Sequence, residues 1–241
     1  MKVIENSERK NILTIVCCLH GDETFGLDVF GYFKKRIEQY PGLKIILANE
    51  EALAAKKRFI DSDLNRCFPG KSNGNHEERL ASSLMLEIKN SEYVLDIHTT
   101  TSELKVTPII AKLDQKIKNI INLCSSEEVV FMDREMAKYS LINQISGGVS
   151  LEFNFQYATE IGALEEVISM VLKLLTGDKN SPRDRRVFYV DQKIGMGVVI
   201  PAGAKNFKLV KSLGTYPFLL YEKSYTNMQG FSAKRVRRRK I

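Results

Sequence analysis

Two of the three histidines in this sequence stand where catalytic residues are common. His20 follows the apolar run 12–19 and opens a tight loop that reaches Glu23, and His98 follows the apolar run 93–97. Loops at the carboxyl ends of neighbouring strands in an open α/β sheet converge on one crevice, so these three side chains could meet in space. Two imidazoles and one carboxylate form a known catalytic zinc set that leaves a fourth position for water or substrate.

The apolar pattern predicts the elements that must position these residues. Residues 12–19 are almost continuously apolar, as expected of a strand buried on both faces of a parallel or mixed sheet. Further strands are predicted at 43–48, 93–97, 106–111, 129–132 and 149–153, and helices at 24–39, 77–89, 115–124 and 164–175. This alternation indicates an α/β fold.

The chain changes character after the last of these helices. Residues 177–182 contain Gly, Pro and polar residues and are the best linker candidate. Beyond this linker, short apolar runs separated by Gly and Pro lie at 187–190, 197–200, 207–210 and 218–221. We therefore predict a larger α/β domain over residues 1–178 and a small β-rich C-terminal domain with a basic tail over residues 179–241.

Four separated pieces of the sequence carry a resemblance to a known family. They are HGDETFG at 20–26, DLNRCFPG at 63–70 with Arg58 seven residues before its Asn, DIHTT at 96–100 and SLEFNFQ at 150–156. In this order and spacing the chain resembles the aspartoacylase and succinylglutamate desuccinylase family of zinc carboxypeptidase-like hydrolases. The resemblance implies a mixed central sheet flanked by helices on both faces, and it makes residues 1–178 the catalytic domain.

The resemblance also implies roles for individual residues. His20, Glu23 and His98 are the implied ligands of one Zn²⁺ ion per chain. Glu152 is the implied catalytic base, which takes a proton from water and can deliver it to the leaving amine. Arg58 would face the oxyanion that develops on the carbonyl. Without the other motifs, Glu152 would be read as an exposed acid at a strand end and Arg58 as an exposed residue of a basic loop.

Substrate recognition is implied at three further positions. Asn65 and Arg66 match the pair that holds a substrate carboxylate, Arg by a bidentate contact and Asn by its amide donors. Tyr225 matches the family's substrate-contacting tyrosine, with Tyr221 as the alternative. Asp63 and Asp96 could orient a ligand histidine or an arginine, or could be turn caps.

Two departures from the family pattern concern the substrate. The family usually has a Gly two residues after the catalytic glutamate, where this chain has Asn154. The true aspartoacylases bear a second substrate-binding arginine about ten residues before that glutamate, and residues 141–144 contain none. A dicarboxylic substrate such as N-acetylaspartate is therefore not supported.

Three functions follow as hypotheses. The first is a zinc-dependent amidohydrolase that cleaves an acyl group from a small carboxylate-bearing amine, such as an N-acyl amino acid. The second uses the same site as a carboxypeptidase on peptide C-termini. The third is a nucleic-acid-binding protein with a vestigial hydrolase site. The sequence shows no aromatic residues interleaved with the basic ones on which bases could stack, so nucleic acid is the weakest of the three candidate ligands.

Composition and charge limit the remaining possibilities. The chain has 241 residues, 44% hydrophobic and 27% charged, which excludes a disordered chain. Its net charge is +7, but six cations lie in residues 234–240, so the body is nearly neutral. No apolar run could span a bilayer, and the four cysteines match neither a disulfide scaffold nor a CxxC zinc site. We expect a cytoplasmic protein with no membrane partner and with buried reduced thiols, and we leave a homo-oligomer open.

Overall fold

The computed structural model describes residues 1–178 and 180–241 and contains one ten-stranded mixed sheet. The strand order is β1-β3-β2-β4-β7-β5-β6-β8-β10-β9. The strands are β1 (Lys2–Glu5), β2 (Leu13–Cys17), β3 (Leu43–Leu47), β4 (Tyr93–Thr100), β5 (Val106–Ile110), β6 (Glu128–Met132), β7 (Gly148–Asn154), β8 (Asp184–Gly195), β9 (Tyr216–Phe218) and β10 (Met228–Lys240).

Helices cover both faces of this sheet, as predicted. The helices are α1 (Phe25–Lys34), α2 (Glu50–Ala54), α3 (His76–Ile88), α4 (Gln115–Leu123), α5 (Leu141–Gln144), α6 (Phe155–Ala158) and α7 (Ile161–Thr176), with 3-10 turns at Ile37–Gln39 and Leu64–Arg66. α1, α4 and α7 pack on one face, and α3 packs on the other. No helix in the described part of the chain is both long and apolar enough to cross a membrane.

Strand alternation explains why the central strands look apolar throughout. Leu95 and Ile97 of β4 pack towards α1 and α7, whereas Val94 packs towards α3. Successive side chains of a strand point to opposite faces, so both faces of a covered strand must be apolar. Asp96 and His98 therefore share the α3 face with Val94, and both are buried there.

Parallel pairing brings the two histidine loops to the same end of the sheet. β2 lies beside β4 in parallel, with Cys17 opposite Ile97. His20 and His98 come after these two paired residues, so both lie near the carboxyl ends of adjacent strands. β4 also pairs in parallel with β7, which sets His98 opposite Glu152 and Asp96 opposite Ser150. Neighbouring strands in register thus place four polar side chains on one face.

The C-terminal segment differs from its predicted strands. Residues 187–190 lie in β8 and Phe218 ends β9, but the apolar runs at 197–200 and 207–210 form no strand among the described residues. Val199 is 85% exposed and Phe207 has a φ of 62°, neither of which suits a buried strand. The strand that pairs with β8 is β10, which contains the basic tail.

β8 joins the C-terminal strands to the rest of the sheet. It pairs with β6 in parallel and with β10 in antiparallel orientation, so both predicted domains contribute to one sheet. The proposed boundary falls at Lys179, which lies outside the described residues, and the division into two domains stays a prediction. β9 covers only Phe231 to Ala233 of β10, so residues 235–240 form an edge where cations deter further pairing.

Candidate functional site

One cavity gathers the eight residues to which the family resemblance gives a metal-binding, catalytic or substrate-binding role. It lies on the α3 face at the carboxyl ends of β2 and β4 and encloses about 90 Å³. Its walls include His20, Glu23, Arg58, Asn65, Arg66, His98, Glu152 and Tyr225. These residues come from loops and strands up to 205 positions apart in the chain, and folding brings them together.

His20, Glu23 and His98 form a compact, buried cluster. One ligand atom from each can be chosen so that all three lie within 4.8 Å of one another. The carboxylate of Glu23 bridges the imidazoles, with Oε1 at 2.6 Å from His20 Nδ1 and Oε2 at 2.9 Å from His98 Nδ1. The backbone N–H of Thr99 also donates to Glu23 Oε2 at 3.1 Å. Both Nδ1 atoms thus point at the same carboxylate.

The other ring nitrogen of each histidine is held by an aspartate. His20 Nε2 lies 3.0 Å from Asp63 Oδ1, and His98 Nε2 lies 2.8 Å from Asp96 Oδ2. A carboxylate that holds one ring nitrogen fixes the tautomer and the ring orientation of a metal-ligating histidine. Asp96 in turn accepts a hydrogen bond from Ser150 Oγ at 2.8 Å. The donor set therefore fits a zinc ion held by two Nδ1 atoms and Glu23.

The charges within this cluster support the same geometry. Burial opposes the ionised form of Glu23, but the two histidines hold the pKa of its carboxyl well below the ordinary value. Burial likewise disfavours the charged imidazoles, yet the neighbouring carboxylates raise the pKa of both His20 and His98. The carboxylates thus favour positive charge on the two imidazoles, and a metal ion would take the place of the protons.

Glu152 lies beside this cluster but is bound differently. Glu152 belongs to β7, and only 8% of the residue is exposed. It is therefore not an exposed acid at a strand end. Among the described residues its carboxylate makes no hydrogen bond to a protein group, and burial raises its pKa to about 8. An unpaired carboxyl group in a cavity is typical of a catalytic acid or base.

Arg58 contacts two carboxylates of the cluster. Its Nη1 donates to Glu23 Oε1 at 3.1 Å, and its Nη2 lies 3.5 Å from Asp63 Oδ2. The side chain is half-buried, in contrast to the exposed Lys56 and Lys57 beside it. Arg58 is therefore a fixed cation at the cavity wall.

Asn65 and Arg66 lie next to each other at the mouth of the cavity. Asn65 Oδ1 accepts a hydrogen bond from the backbone N–H of Leu141 at 2.9 Å, which leaves its Nδ2 as a donor group. Arg66 is exposed and donates from Nη1 to the backbone carbonyl of Asn65 at 2.8 Å. This hydrogen bond leaves its other guanidinium nitrogens as donor groups. Both side chains are thus arranged as donors, as an anion requires.

Comparison with known proteins identifies the family. Residues 10–163 match the model of the succinylglutamate desuccinylase/aspartoacylase catalytic domain. The chain belongs to this family. A probable aspartoacylase of Trichodesmium erythraeum is 33% identical over an alignment of 136 residues, and this match covers 49% of this chain and 45% of that protein. The match therefore spans less than half the length of this curated relative.

Solved structures of the desuccinylase/aspartoacylase family and of an aminoacylase share the fold. Murine aminoacylase 3 superposes with a TM-score of 0.72 at 16% identity, over 97% of this chain and 98% of that one. A succinylglutamate desuccinylase from Chromobacterium violaceum superposes with a TM-score of 0.73 at 15% identity, over 96% of this chain and 86% of that one. The predicted fold class and family are therefore confirmed.

Of the two candidate tyrosines in this family member, Tyr225 lines the cavity. Its ring packs edge-on against Phe231 with centroids 5.7 Å apart, and burial raises the pKa of its phenol. Tyr221 is 55% exposed and is absent from the cavity wall. The geometry therefore favours Tyr225 as the residue that meets a substrate.

Glu222 lies between these tyrosines, and the sequence analysis missed it. Its carboxylate accepts hydrogen bonds from Thr100 Oγ1, from the Thr101 N–H at 2.8 Å and from the Ser224 N–H at 3.1 Å. It thereby ties the C-terminal segment to the end of β4 and brings Tyr225 to the site. No local pattern signals this role, because Thr100 and Thr101 lie more than 120 residues away from Glu222 in the sequence.

Glu77 is a second buried acid that the sequence did not identify. It is fully buried at the start of α3, and its carboxylate accepts from the N–H groups of Ile60, Asp61 and Ser62 at 2.7, 2.9 and 3.1 Å. Asn49 Nδ2 donates to it as well, at 3.1 Å. Burial opposes its charge, but these donors keep its pKa below the ordinary value. Glu77 therefore shapes the loop that carries Arg58 and Asp63.

We expect Glu77→Gln to destabilise the protein by about 2–3 kcal/mol, because an amide replaces one acceptor oxygen by a donor that faces N–H groups. Urea unfolding of the two proteins measures the difference. Glu78→Gln is the matched control, since Gln also serves in the capping box that Glu78 forms with Asn75. Equal losses of stability in both variants would show that Glu77 has no special structural role.

The cysteines agree only in part with their predicted burial. All four are free thiols, but Cys67 is half-buried, whereas Cys17, Cys18 and Cys124 are buried. Cys18 Sγ lies 3.5 Å from the carbonyl oxygen of Glu23, against the loop that carries His20 and Glu23. Burial raises the pKa of Cys18 to about 12, and Cys18 is not among the residues that line the cavity.

Proposed function

We propose that the protein is a zinc-dependent hydrolase that cleaves the amide bond of an N-acyl amino acid or a similar carboxylate-bearing amide. One observation carries this proposal: His20, Glu23 and His98 converge in the cavity that Glu152 and Arg66 also line. Membership of the succinylglutamate desuccinylase/aspartoacylase family supports it. Because the curated match covers less than half of its relative, the activity of the whole protein is part of the proposal.

The reaction adds one water molecule across the amide. The water oxygen joins the acyl carbon, the C–N bond breaks, and the products are a carboxylic acid and a free amine. When held by His20, Glu23 and His98, zinc would supply a water of lowered pKa and a Lewis acid for the acyl carbonyl.

Glu152 moves the protons in this scheme. It stands opposite His98 on the adjacent strand and faces the same cavity. It takes a proton from the attacking water and delivers it to the nitrogen as the C–N bond breaks, so that the amine leaves neutral. Its buried position keeps bulk water from competing for that proton.

Arg58, Arg66 and Asn65 place the substrate. Arg58 is held by Glu23 and Asp63 at the cavity wall, where a fixed cation stabilises charge that develops on the carbonyl oxygen without having to reorganise. Arg66 and the Nδ2 group of Asn65 bind the substrate carboxylate at the cavity mouth. Tyr225 closes the opposite side and donates from its phenol.

Metal analysis combined with a substrate panel tests this function. We expect about one zinc per chain in protein purified without chelators, and release of free amine from N-acetyl amino acids that stops on chelation and returns with zinc. Protein that carries zinc and hydrolyses no N-acyl amino acid would contradict the proposal. Faster hydrolysis of blocked dipeptides with free C-termini would instead identify a carboxypeptidase.

We also propose a cytoplasmic location and a small molecule as the main partner. Four free cysteines support a reducing compartment. The cations of residues 234–240 belong to β10 and do not line the cavity, so the proposed reaction does not involve them.

A further inference from the structure

The cavity has a second, apolar wall that the proposed chemistry does not use. Strand β7 separates this wall from His98 on β4. On the far side of β7, Ile109 of β5 lies opposite Ser150, whose hydroxyl donates a hydrogen bond to Asp96. The wall continues through β6, the segment after it, α5 and the C-terminal strands. Its main side chains are Ile109, Met132, Met136, Ile142, Leu219 and Phe231.

Few cations in the cavity are available to a substrate. Arg58 and Arg66 are the cationic side chains among the lining residues that the structure describes. Arg58 is already engaged by Glu23 and Asp63, and Arg66 is exposed at the mouth. The site therefore offers one unengaged guanidinium, which suits one substrate carboxylate.

A second substrate carboxylate would meet an unfavourable environment. Beyond Arg66 it would lie against the apolar wall, where the described lining residues offer no cation, and it would share the cavity with the carboxylate of Glu222. The oxygens of Glu222 are already bonded to Thr100, Thr101 and Ser224, so this acid stays in place. Burying an unpaired charge next to fixed like charges is costly.

We infer that the substrate carries one carboxylate and an apolar group, and that the site rejects N-acyl dicarboxylic amino acids. This inference rests on the proposed function and names its substrate class. Arg66 and Asn65 hold the single carboxylate, and the apolar group fills the space against Ile142, Met136 and Phe231. That group is either the amino-acid side chain or the acyl chain, because either one can present an apolar surface to the wall.

A substrate panel measured with the zinc-loaded full chain tests the inference. N-acetyl-leucine carries an apolar side chain, N-hexanoyl-glycine an apolar acyl chain, and N-acetylaspartate and N-succinylglutamate a second carboxylate. We expect kcat/KM for at least one apolar substrate to exceed that for either dicarboxylate by about 100-fold or more. A higher kcat/KM for N-acetyl-leucine would indicate that the wall holds the side chain, and a higher kcat/KM for N-hexanoyl-glycine that it holds the acyl group.

A cation placed in the apolar wall should weaken the preference for apolar over dicarboxylic substrates. Met136 is half-buried and unbranched, so Met136→Lys adds a charge with little change of shape. We expect it to narrow the ratio by at least about 10-fold, through faster hydrolysis of the dicarboxylates. Leu172→Lys, on the exposed side of α7, makes the same change of charge away from the cavity and should leave the ratio unchanged.

The outcomes separate this inference from the proposed function. Hydrolysis that favours the dicarboxylates would overturn the substrate class and leave the hydrolase intact. If the zinc-loaded protein hydrolyses nothing, the proposed function fails, and calorimetric titration of N-acetyl-leucine against N-acetylaspartate still tests the wall. Tighter binding of N-acetyl-leucine supports the inference, and equal or weaker binding, or no binding of either, overturns it.

Discussion

Replacing Glu152 by Gln should lower kcat/KM by about 10³-fold while the protein keeps its zinc. The amide has nearly the same shape as the carboxyl group but cannot take a proton from water or pass it to the leaving nitrogen. The ligands His20, Glu23 and His98 do not depend on Glu152 for a hydrogen bond, so metal content should not change. Steady-state kinetics on the best N-acyl amino acid and zinc analysis of the same sample measure both quantities.

The stability of this variant provides a second readout. Burial raises the pKa of Glu152 to about 8, above the value expected in the unfolded chain, so its ionised form opposes folding once the pH exceeds that unfolded value. Gln removes this cost, and we expect the Tm of the metal-free variant at neutral pH to be equal to or above that of the parent. A large fall in Tm together with the loss of activity would point to a structural role.

A matched control separates charge from position. Glu135 is an exposed acid in the segment that follows β6 and does not line the cavity. Glu135→Gln makes the same chemical change and should leave kcat/KM within about twofold, since surface substitutions away from a site have small effects. Glu152→Gln that behaves like this control would remove Glu152 from the mechanism.

Replacing His98 by Ala should abolish zinc binding at this site and lower kcat/KM by more than about 10³-fold. The substitution removes one of three protein donors and leaves the carboxylates of Glu23 and Asp96 without the imidazole that bridges them. Zinc content after dialysis and hydrolysis of the same substrate are the measurements. His20→Ala should give the same pair of losses, because it removes the equivalent Nδ1 donor.

The third histidine supplies the control for this prediction. His76 begins α3, outside the cavity, where its Nε2 lies 3.3 Å from Asn49 Oδ1. His76→Ala should keep zinc and activity. Full zinc content in His98→Ala, or an equal loss in His76→Ala, would show that the metal is bound elsewhere.

Most elements of the central sheet could be predicted because they are covered on both faces. β2 to β7 read as apolar runs for that reason, and the predicted bounds of β3 and β6 differ from the observed ones by one residue. β1 was missed because it is a short, half-exposed edge strand without such a run. The apolar pattern does not predict the second half of β10, because cations occupy the positions where a strand normally shows apolar alternation.

The site was predicted as far as its residues lie in local motifs. His20 and Glu23 share one loop, and Asn65 and Arg66 are adjacent in another, so each pair stands in a short motif on which the family resemblance rests. Glu77 and Glu222 escaped detection because each acts on a segment at least 15 residues away. An isolated acid carries no sign of such a partner.

The sequence by itself determined the chemical types at the site, namely two imidazoles, the acids and the arginines, together with the strand ends that carry them. Only the tertiary structure decided which partner each group has: Asp63 for His20, Asp96 for His98, and Tyr225 rather than Tyr221 at the cavity. The apolar wall opposite the metal cluster is likewise a product of folding. Local residue types depend on short-range pattern, whereas these contacts depend on strand register and on loops that bring separate parts of the chain together.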